Sequence, residues 1–268
     1  MRTCLLLLVT WMTCHLAAVD VSVGDTVLKI PADEHQRELG QDSAFLGAIR
    51  GALPEGIRVL YAEAPADEAL KTNAGAAARI STCHLLMSLD ELADESYTRE
   101  DFIATRQDLV DGLKEGLEGS TMTETLELMR RTFALKTQAE LAIDSPTLVG
   151  EPEVTDDHVR FTMLMAVTVN GHKVMQAIRG TMRPIRNKLV ILYSYQEITG
   201  EDAIDRVSGT HATFVDRLVR ANSLVLPGDE APLPVADETV DTKTGPAQPT
   251  TPTRPAPAKP TAEPALIP

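Results

Sequence analysis

The chain has 268 residues, of which 43% are hydrophobic, 24% charged and 4% aromatic. That suits one large domain or two small ones, and excludes a collagen, a cysteine scaffold and a polytopic membrane protein. A formal charge of −14, from 39 acids against 25 bases, argues against a general nucleic-acid binder, which needs a basic footprint.

Residues 1–18 have the three-part layout of a secretory signal. Arg2 gives the n-region a charge, the stretch from Cys4 to Cys14 is apolar, and Leu16-Ala17-Ala18 offers small residues for cleavage. The apolar run is too short to span a bilayer, so no transmembrane segment is expected after cleavage. An uncleaved anchor or a buried N-terminal helix are the alternatives. Trp11-Met12-Thr13 before Cys14 is a poor lipoprotein context. An exported protein, periplasmic or extracellular, is therefore expected. Cleavage leaves Cys83 as the one remaining cysteine, so no intramolecular disulfide is expected and a hydrophobic core must hold the domain. No Asn-x-Ser/Thr acceptor occurs.

Residues 19–226 are expected to form a single α+β domain. Thr26 to Ile30 reads as a strand ended by Pro31. Residues 33–50 are mixed and partly helical, with Phe45, Leu46 and Ile49 on one side. Ile57 to Tyr61 reads as a second strand with Ile57, Val59 and Tyr61 on one face, and 78–87 as a third. Thr98 is a helix N-cap with Asp101 at N3, and Phe102, Leu109, Val110, Leu113 and Leu117 follow at helical spacing. Gly116 and Gly119 end that helix, and a second starts at Thr121 with Glu124 in a capping box and Met122, Leu126, Met129 and Phe133 as its stripe.

The clearest pattern comes next. From His158 to Val169 residues alternate: Val159, Phe161, Met163, Met165, Val167 and Val169 point one way, Arg160, Thr162 and Thr168 the other. Asn170-Gly171 suits a type I′ hairpin turn. The return strand starts at His172, and Pro184 is expected to end it. After Arg186-Asn187, Lys188 to Tyr195 is apolar on both faces and should be central. Thr199 starts a last helix with Ile204, Val207, His211, Phe214, Val215 and Leu218 as its stripe and Asn222 at its end. The order predicts a three-layer α/β/α sandwich around a mainly antiparallel sheet, with a C-terminal three-strand meander and a closing helix.

Residues 227–268 hold 11 of the 17 prolines and no aromatic, and read as a disordered tail, acidic first and Pro/Thr/Ala-rich after. Pro249, Pro252 and Pro255 are spaced for polyproline II. The tail is a spacer, an inert extension or a docking peptide. Charge divides as +1 in 1–18, −12 in 19–226 and −3 in 227–268.

The helix from Phe102 to Leu117, the Asn170-Gly171 hairpin, the strand from Lys188 to Tyr195 and the closing Val219-Arg220-Ala221-Asn222 resemble the PsbP-like superfamily over about 98–222. That superfamily of α/β/α sandwiches includes photosystem extrinsic subunits, a nuclear-import cofactor and small bacterial envelope proteins. The resemblance implies a non-enzymatic accessory or binding module and supplies no catalytic signature. The sequence departs from the pattern in a long 140–157 connection and a closing helix without tryptophan.

Catalytic motifs are sparse. There is no Gly-x-Ser-x-Gly, His-Glu-x-x-His, P-loop or dinucleotide fingerprint. Cys83 and His84 would face opposite ways on a strand, Ser208 and His211 share a helical face, and His211 lies in the apolar stripe. His35 with Glu38, and Asp156-Asp157-His158, are incomplete as metal sites. No catalytic residue, metal or other cofactor is assigned. One local feature opposes the average charge: Lys173, Arg179, Arg183, Arg186 and Lys188 have no acid among them. Lys173, Arg179 and Arg183 share a strand parity. They are the candidate dock for an anionic partner, either an unknown protein or the chain's own 229–241 segment; a solvated strand face offset by nearby acids is the alternative.

The expected function is an exported, non-catalytic binding or accessory module of the cell envelope that mediates protein contacts. One alternative is a hydrolase or metal-dependent enzyme whose site gathers dispersed groups such as His84, His158 and Asp157. Another is an envelope tether acting through the proline-rich tail. Oligomeric state is left open.

Overall fold

The computed structural model describes residues 18–51, 53, 55–75, 80–137, 140–169 and 171–223. The expected signal segment 1–18, apart from Ala18, and the 227–268 segment lie outside the described residues. Among the described residues, no helix is long and apolar enough to cross a membrane.

In chain order the elements are β1 (Val19–Val23), β2 (Thr26–Ile30), β3 (Gln36–Glu38), α1 (Ala44–Arg50), β4 (Ile57–Pro65), α2 (Ala66–Asn73), β5 (Thr82–Leu89), α3 (Asp90–Ala93), α4 (Arg99–Glu118) and α5 (Ser120–Thr137). They continue with β6 (Leu141–Ile143), β7 (Thr147–Leu148), β8 (Glu153–Val154), β9 (Val159–Val169), β10 (His172–Ile185), β11 (Lys188–Glu197) and α6 (Ala203–Ser223). One large sheet runs β3-β4-β5-β11-β10-β9-β6, with β7 and β8 also paired to β9. Its pairings are antiparallel, as is the separate β1-β2 hairpin.

The sheet is buried on both faces. On one face Val59, Leu85, Phe161, Ile178, Leu189 and Ile191 meet Leu46 of α1 and Phe102 and Val110 of α4. On the other, Leu86, Val190 and Leu192 meet Phe214, Val215 and Leu218 of α6 and Val21, Val23, Leu28 and Ile30 of the hairpin. The three-layer α+β sandwich is thus the observed architecture, with one outer layer made jointly by a helix and a hairpin. The meander β9-β10-β11 is present in that order, and β11 lies at the sheet's centre. Its strand is apolar on both faces because each face meets a core.

Local chemistry accounts for the best-read elements. Thr98 and Asp101 form the capping box of α4, each side chain bonding the other's backbone N–H. The β9–β10 turn pairs Val169 with His172, and Gly171 takes φ 79°. In the β10–β11 turn Arg186 and Asn187 have φ 49° and 57°, the left-handed pair of a type I′ turn. On the α4 face, Gly180 lies opposite Phe161. A Cβ there would lie 2.3 Å from the Phe161 ring, so the ring occupies the space a side chain would need.

Residues 33–50 are mixed and partly helical as expected, with β3 followed by the short α1 that Ser43 caps and Phe45, Leu46 and Ile49 in one core. Several expectations are corrected. Val59 and Tyr61 do not share a face: a bulge between them switches parity, so Val59 enters one core and Tyr61 the other. The third strand is Thr82–Leu89, not 78–87. β10 passes through Pro184, which pairs with Leu189, and ends at Ile185. α5 starts at Ser120, and α6 starts at Ala203 instead of Thr199 and runs through Asn222 to Ser223. β1, α2 and α3 were not anticipated, nor were β6, β7 and β8 within the 140–157 connection.

Candidate functional site: a polar row and an arginine cluster

The α6-facing side of the sheet carries an unusual line of polar residues. Strand register places Glu63 opposite His84, His84 opposite Ser194, Ser194 opposite Arg179, and Arg179 opposite Thr162. The row crosses β4, β5, β11, β10 and β9. Its two ends meet different surroundings.

Under α6 the row is buried and partnered. His84 Nδ1 lies 2.6 Å from Ser194 Oγ, and Ser194 Oγ lies 2.8 Å from His211 Nδ1. His211 Nε2 lies 2.7 Å from Thr181 Oγ1. Ser194 has one proton to donate and can also accept, so one imidazole accepts from it while the other donates to it. Either direction satisfies the chain with both imidazoles neutral. Burial holds His84 down to about 4 and His211 down to about 3. His84 also stacks on Phe214 at 5.0 Å. Next along the row, Glu63 accepts from Tyr61 Oη at 2.9 Å and from Arg217 Nη2, and Arg217 lies 3.3 Å from Asp33. Burial raises the Glu63 carboxyl, and the Arg217 charge opposes that rise.

Beyond α6 lies a cluster of three arginines. Arg160 of β9 sits opposite Thr181, with Arg179 two residues to one side on β10 and Arg183 two to the other. Diagonal neighbours in a sheet are about 7–8 Å apart, so the three guanidinium groups share one patch of the face. Glu153 of β8 reaches Arg160 at 3.3 Å and Arg179 at 3.8 Å, and lies 3.4 Å from His158 Nε2. Arg179 also donates to Thr162. Arg183 has no hydrogen bond or ion pair among the described residues, and Asp157 and Asp216 act on it only from a distance. The Nε of both Arg183 and Arg160 is buried without a hydrogen-bond partner. Burial, then the Arg160 charge, lowers the Arg179 guanidinium; burial likewise leads at Arg183.

The five predicted basic residues therefore separate. Arg179 and Arg183 come together, joined by Arg160. Lys173 is exposed at the far end of the hairpin and pairs with Asp144 at 3.2 Å. Arg186 donates to the Val27 carbonyl at 3.0 Å. Lys188 is buried, reaching the Glu95 carbonyl at 2.9 Å and Asp25 at 3.0 Å. These two clamp the β10–β11 turn to the β1-β2 hairpin. They thus lie apart from the arginine cluster, held by backbone carbonyls and, for Lys188, by the Asp25 carboxylate.

The groups considered for catalysis are dispersed. His84 is under α6, three strands from β9, or about 14 Å at the usual strand spacing. His158 precedes β9, and Asp157 pairs with Arg99 at 2.7 Å. Cys83 points into the α4-side core, away from His84, and burial pushes its thiol up. Ser208 donates to the Ile204 carbonyl within its helix, apart from the His211 chain. His35 and Glu38 do not share a helix, since Glu38 ends β3. Among the described residues, no three His, Cys, Asp or Glu group together as metal ligands. Beside α6, an open groove of about 530 Å³ is lined by Pro31, Thr213, Asp216, Arg217, Arg220 and Ala221.

No protein-family model matches the chain, and no curated protein is similar to it. Among solved structures it is similar to cyanobacterial PsbP (CyanoP) from Synechocystis sp. PCC 6803. Identity there is 13%, the match covers 81% of this chain and 96% of that one, and the TM-score is 0.32. It is also similar to the Ran-binding protein Mog1p of Saccharomyces cerevisiae, at 10% identity, 78% and 93% coverage and a TM-score of 0.27.

Proposed function

We propose that this protein is an exported, non-catalytic binding or accessory module that docks an acidic protein partner on the sheet face carrying Arg160, Arg179 and Arg183. Export is supported by the layout of residues 1–18. The docking reading is carried by one observation: a chain of formal charge −14 gathers three arginines on one face, opposed at bonding distance by the single carboxylate of Glu153 among the described residues. Such a patch attracts and orients an acidic surface, and adds to association rate and selectivity more than to raw affinity.

Crosslinking in the exported fraction tests this reading. Wild-type protein is expected to form a discrete crosslinked species that weakens with salt, and Arg179→Glu/Arg183→Glu to lose it. Crosslinks that persist in the double variant, or that ignore ionic strength, would overturn it.

A further inference from the structure

The cluster also has the makings of a specific pocket for one chemical group, an inference that rests on the docking face just proposed. A guanidinium carries five N–H donors in a fixed fork, and taking it out of water without an acceptor is costly. Arg183 is half-buried with its Nε enclosed and unpartnered, and Arg160 beside it shows the same enclosed Nε. Around them the neighbouring acids are largely engaged or distant. Asp157 is bonded to Arg99, Glu153 is shared between Arg160, Arg179 and His158, and Asp216 sits on α6 without reaching bonding distance. Three like charges drawn together on one strand pair repel one another. What the arrangement lacks is a second anion.

We infer that Arg160, Arg179 and Arg183 form a binding site for a single oxyanion group, a carboxylate or a phosphoryl group, with Glu153 as a built-in competitor. The ligand has at least two oxygens, because a fork of N–H donors is matched by paired acceptors. Glu153 shows the mode of binding on a small scale: one carboxylate reaches both Arg160 and Arg179. It sits on β8, a strand of two residues at the sheet's edge. An incoming oxyanion completes the coordination of Arg183 and competes with Glu153 for the other two.

The full-length chain can be titrated with inorganic phosphate and, separately, with acetate at constant ionic strength, following the arginine Nε–Hε resonances. Saturable shifts at Arg160, Arg179 and Arg183 are expected in the millimolar range. Arg183→Gln should weaken binding about tenfold, and Glu153→Gln should tighten it several-fold, since the competitor's charge is gone. Arg183→Lys, which keeps the charge without the fork, should fall between wild type and Arg183→Gln. A response to acetate alone identifies a carboxylate ligand, and one to phosphate alone a phosphoryl ligand; each supports the site. No saturable shift in wild type or Glu153→Gln, or equal binding by wild type and Arg183→Gln, overturns it. Loss of the crosslink in the double charge reversal without binding of either anion would refute this pocket while leaving the docking face intact.

Discussion

Two stretches of one sheet face, the histidine-serine chain and the arginine cluster, differ in how fully their polar groups are matched. Under α6, His84, Ser194, His211 and Thr181 each find a partner within 2.8 Å, and Glu63 is held by Arg217 and Tyr61. Beyond α6, Arg160 and Arg183 keep enclosed N–H groups with no acceptor. The two arginines lie on rows beside the polar one, Arg160 opposite Thr181 and Arg183 opposite Val190. An enclosed polar group without a partner costs free energy wherever it sits. The histidine-serine chain avoids that cost by bonding in series, while Ser88 Oγ and Arg217 Nη1, like the two arginine Nε atoms, make no hydrogen bond. What sets the arginine cluster apart is that its unmatched atoms carry like charge, which an anion can answer. Polarity in a sheet is therefore a poor guide to function until its partners are counted.

The comparison can be broken most forcefully at Arg217. Arg217→Met should cost about 3–5 kcal/mol in denaturant unfolding at neutral pH, because Glu63 is left buried and uncompensated. A loss under about 1 kcal/mol would mean that Glu63 is already neutral, and Glu63→Gln should then be silent as well.

Acid should come next in size. His84 and His211 have folded values of about 4 and about 3, below the ordinary histidine value of 6.5. Below pH 6.5 the unfolded chain binds protons that the folded chain refuses. Their contribution is complete above that pH and is lost as pH falls through 4 towards 3, on the order of a few kcal/mol. Glu63, raised in the fold, works against this by favouring the folded state as carboxyls protonate. Unfolding followed from pH 7 to 3.5 should still show a net loss, and His84→Gln/His211→Gln should flatten it. A profile unchanged in that double variant would remove the histidine chain from the account.

The smallest effect should lie on the open side. Arg183→Gln removes a charge with no hydrogen-bonded partner, so the thermal midpoint should hold steady or rise slightly. A fall of several degrees would make Arg183 part of the scaffold and weaken its assignment to a ligand.

Much of this layout was legible where local signals agree with tertiary demands. The Thr98/Asp101 cap, the alternation from Val159, the tight connection that pairs Val169 with His172 and the two-faced apolar strand from Lys188 all stand as read, while Asn170 lies outside the described residues. Elements carried by few residues were harder. α2 has eight residues and no side-chain cap, although Asp67 and Glu68 at its start and Lys71 at its end suit the helix dipole. The bulge after Val59 carries no mark in composition, yet it reverses every inference from parity downstream in β4.

The arginine site was half visible. Arg179 and Arg183 were found as charge against the average. Arg160 was assigned to the polar side of its strand but not to their cluster. The turn held the missing step: a two-residue loop that pairs Val169 with His172 also puts Arg160 opposite Thr181, midway between them. Glu153 could not be reached that way, because nothing local reveals that so short a strand pairs with β9. The fastening roles of Arg186 and Lys188 depend on β1-β2, whose packing is a long-range event.

The central place of β11 has a consequence for the order of assembly. Among the described residues it is the last strand, and it alone joins β3-β4-β5 to β10-β9-β6. Its partner in β5 lies about a hundred positions earlier, since Ile191 pairs with Met87. The two half-sheets can form locally, but the whole sheet closes only when this late segment slots between them. Closing a loop of that length is entropically costly and slow compared with a hairpin. Until it happens, both half-sheets expose an unpaired edge and an uncovered apolar face. The rate of folding is thereby tied to the arrival of one strand that follows every other strand of the sheet.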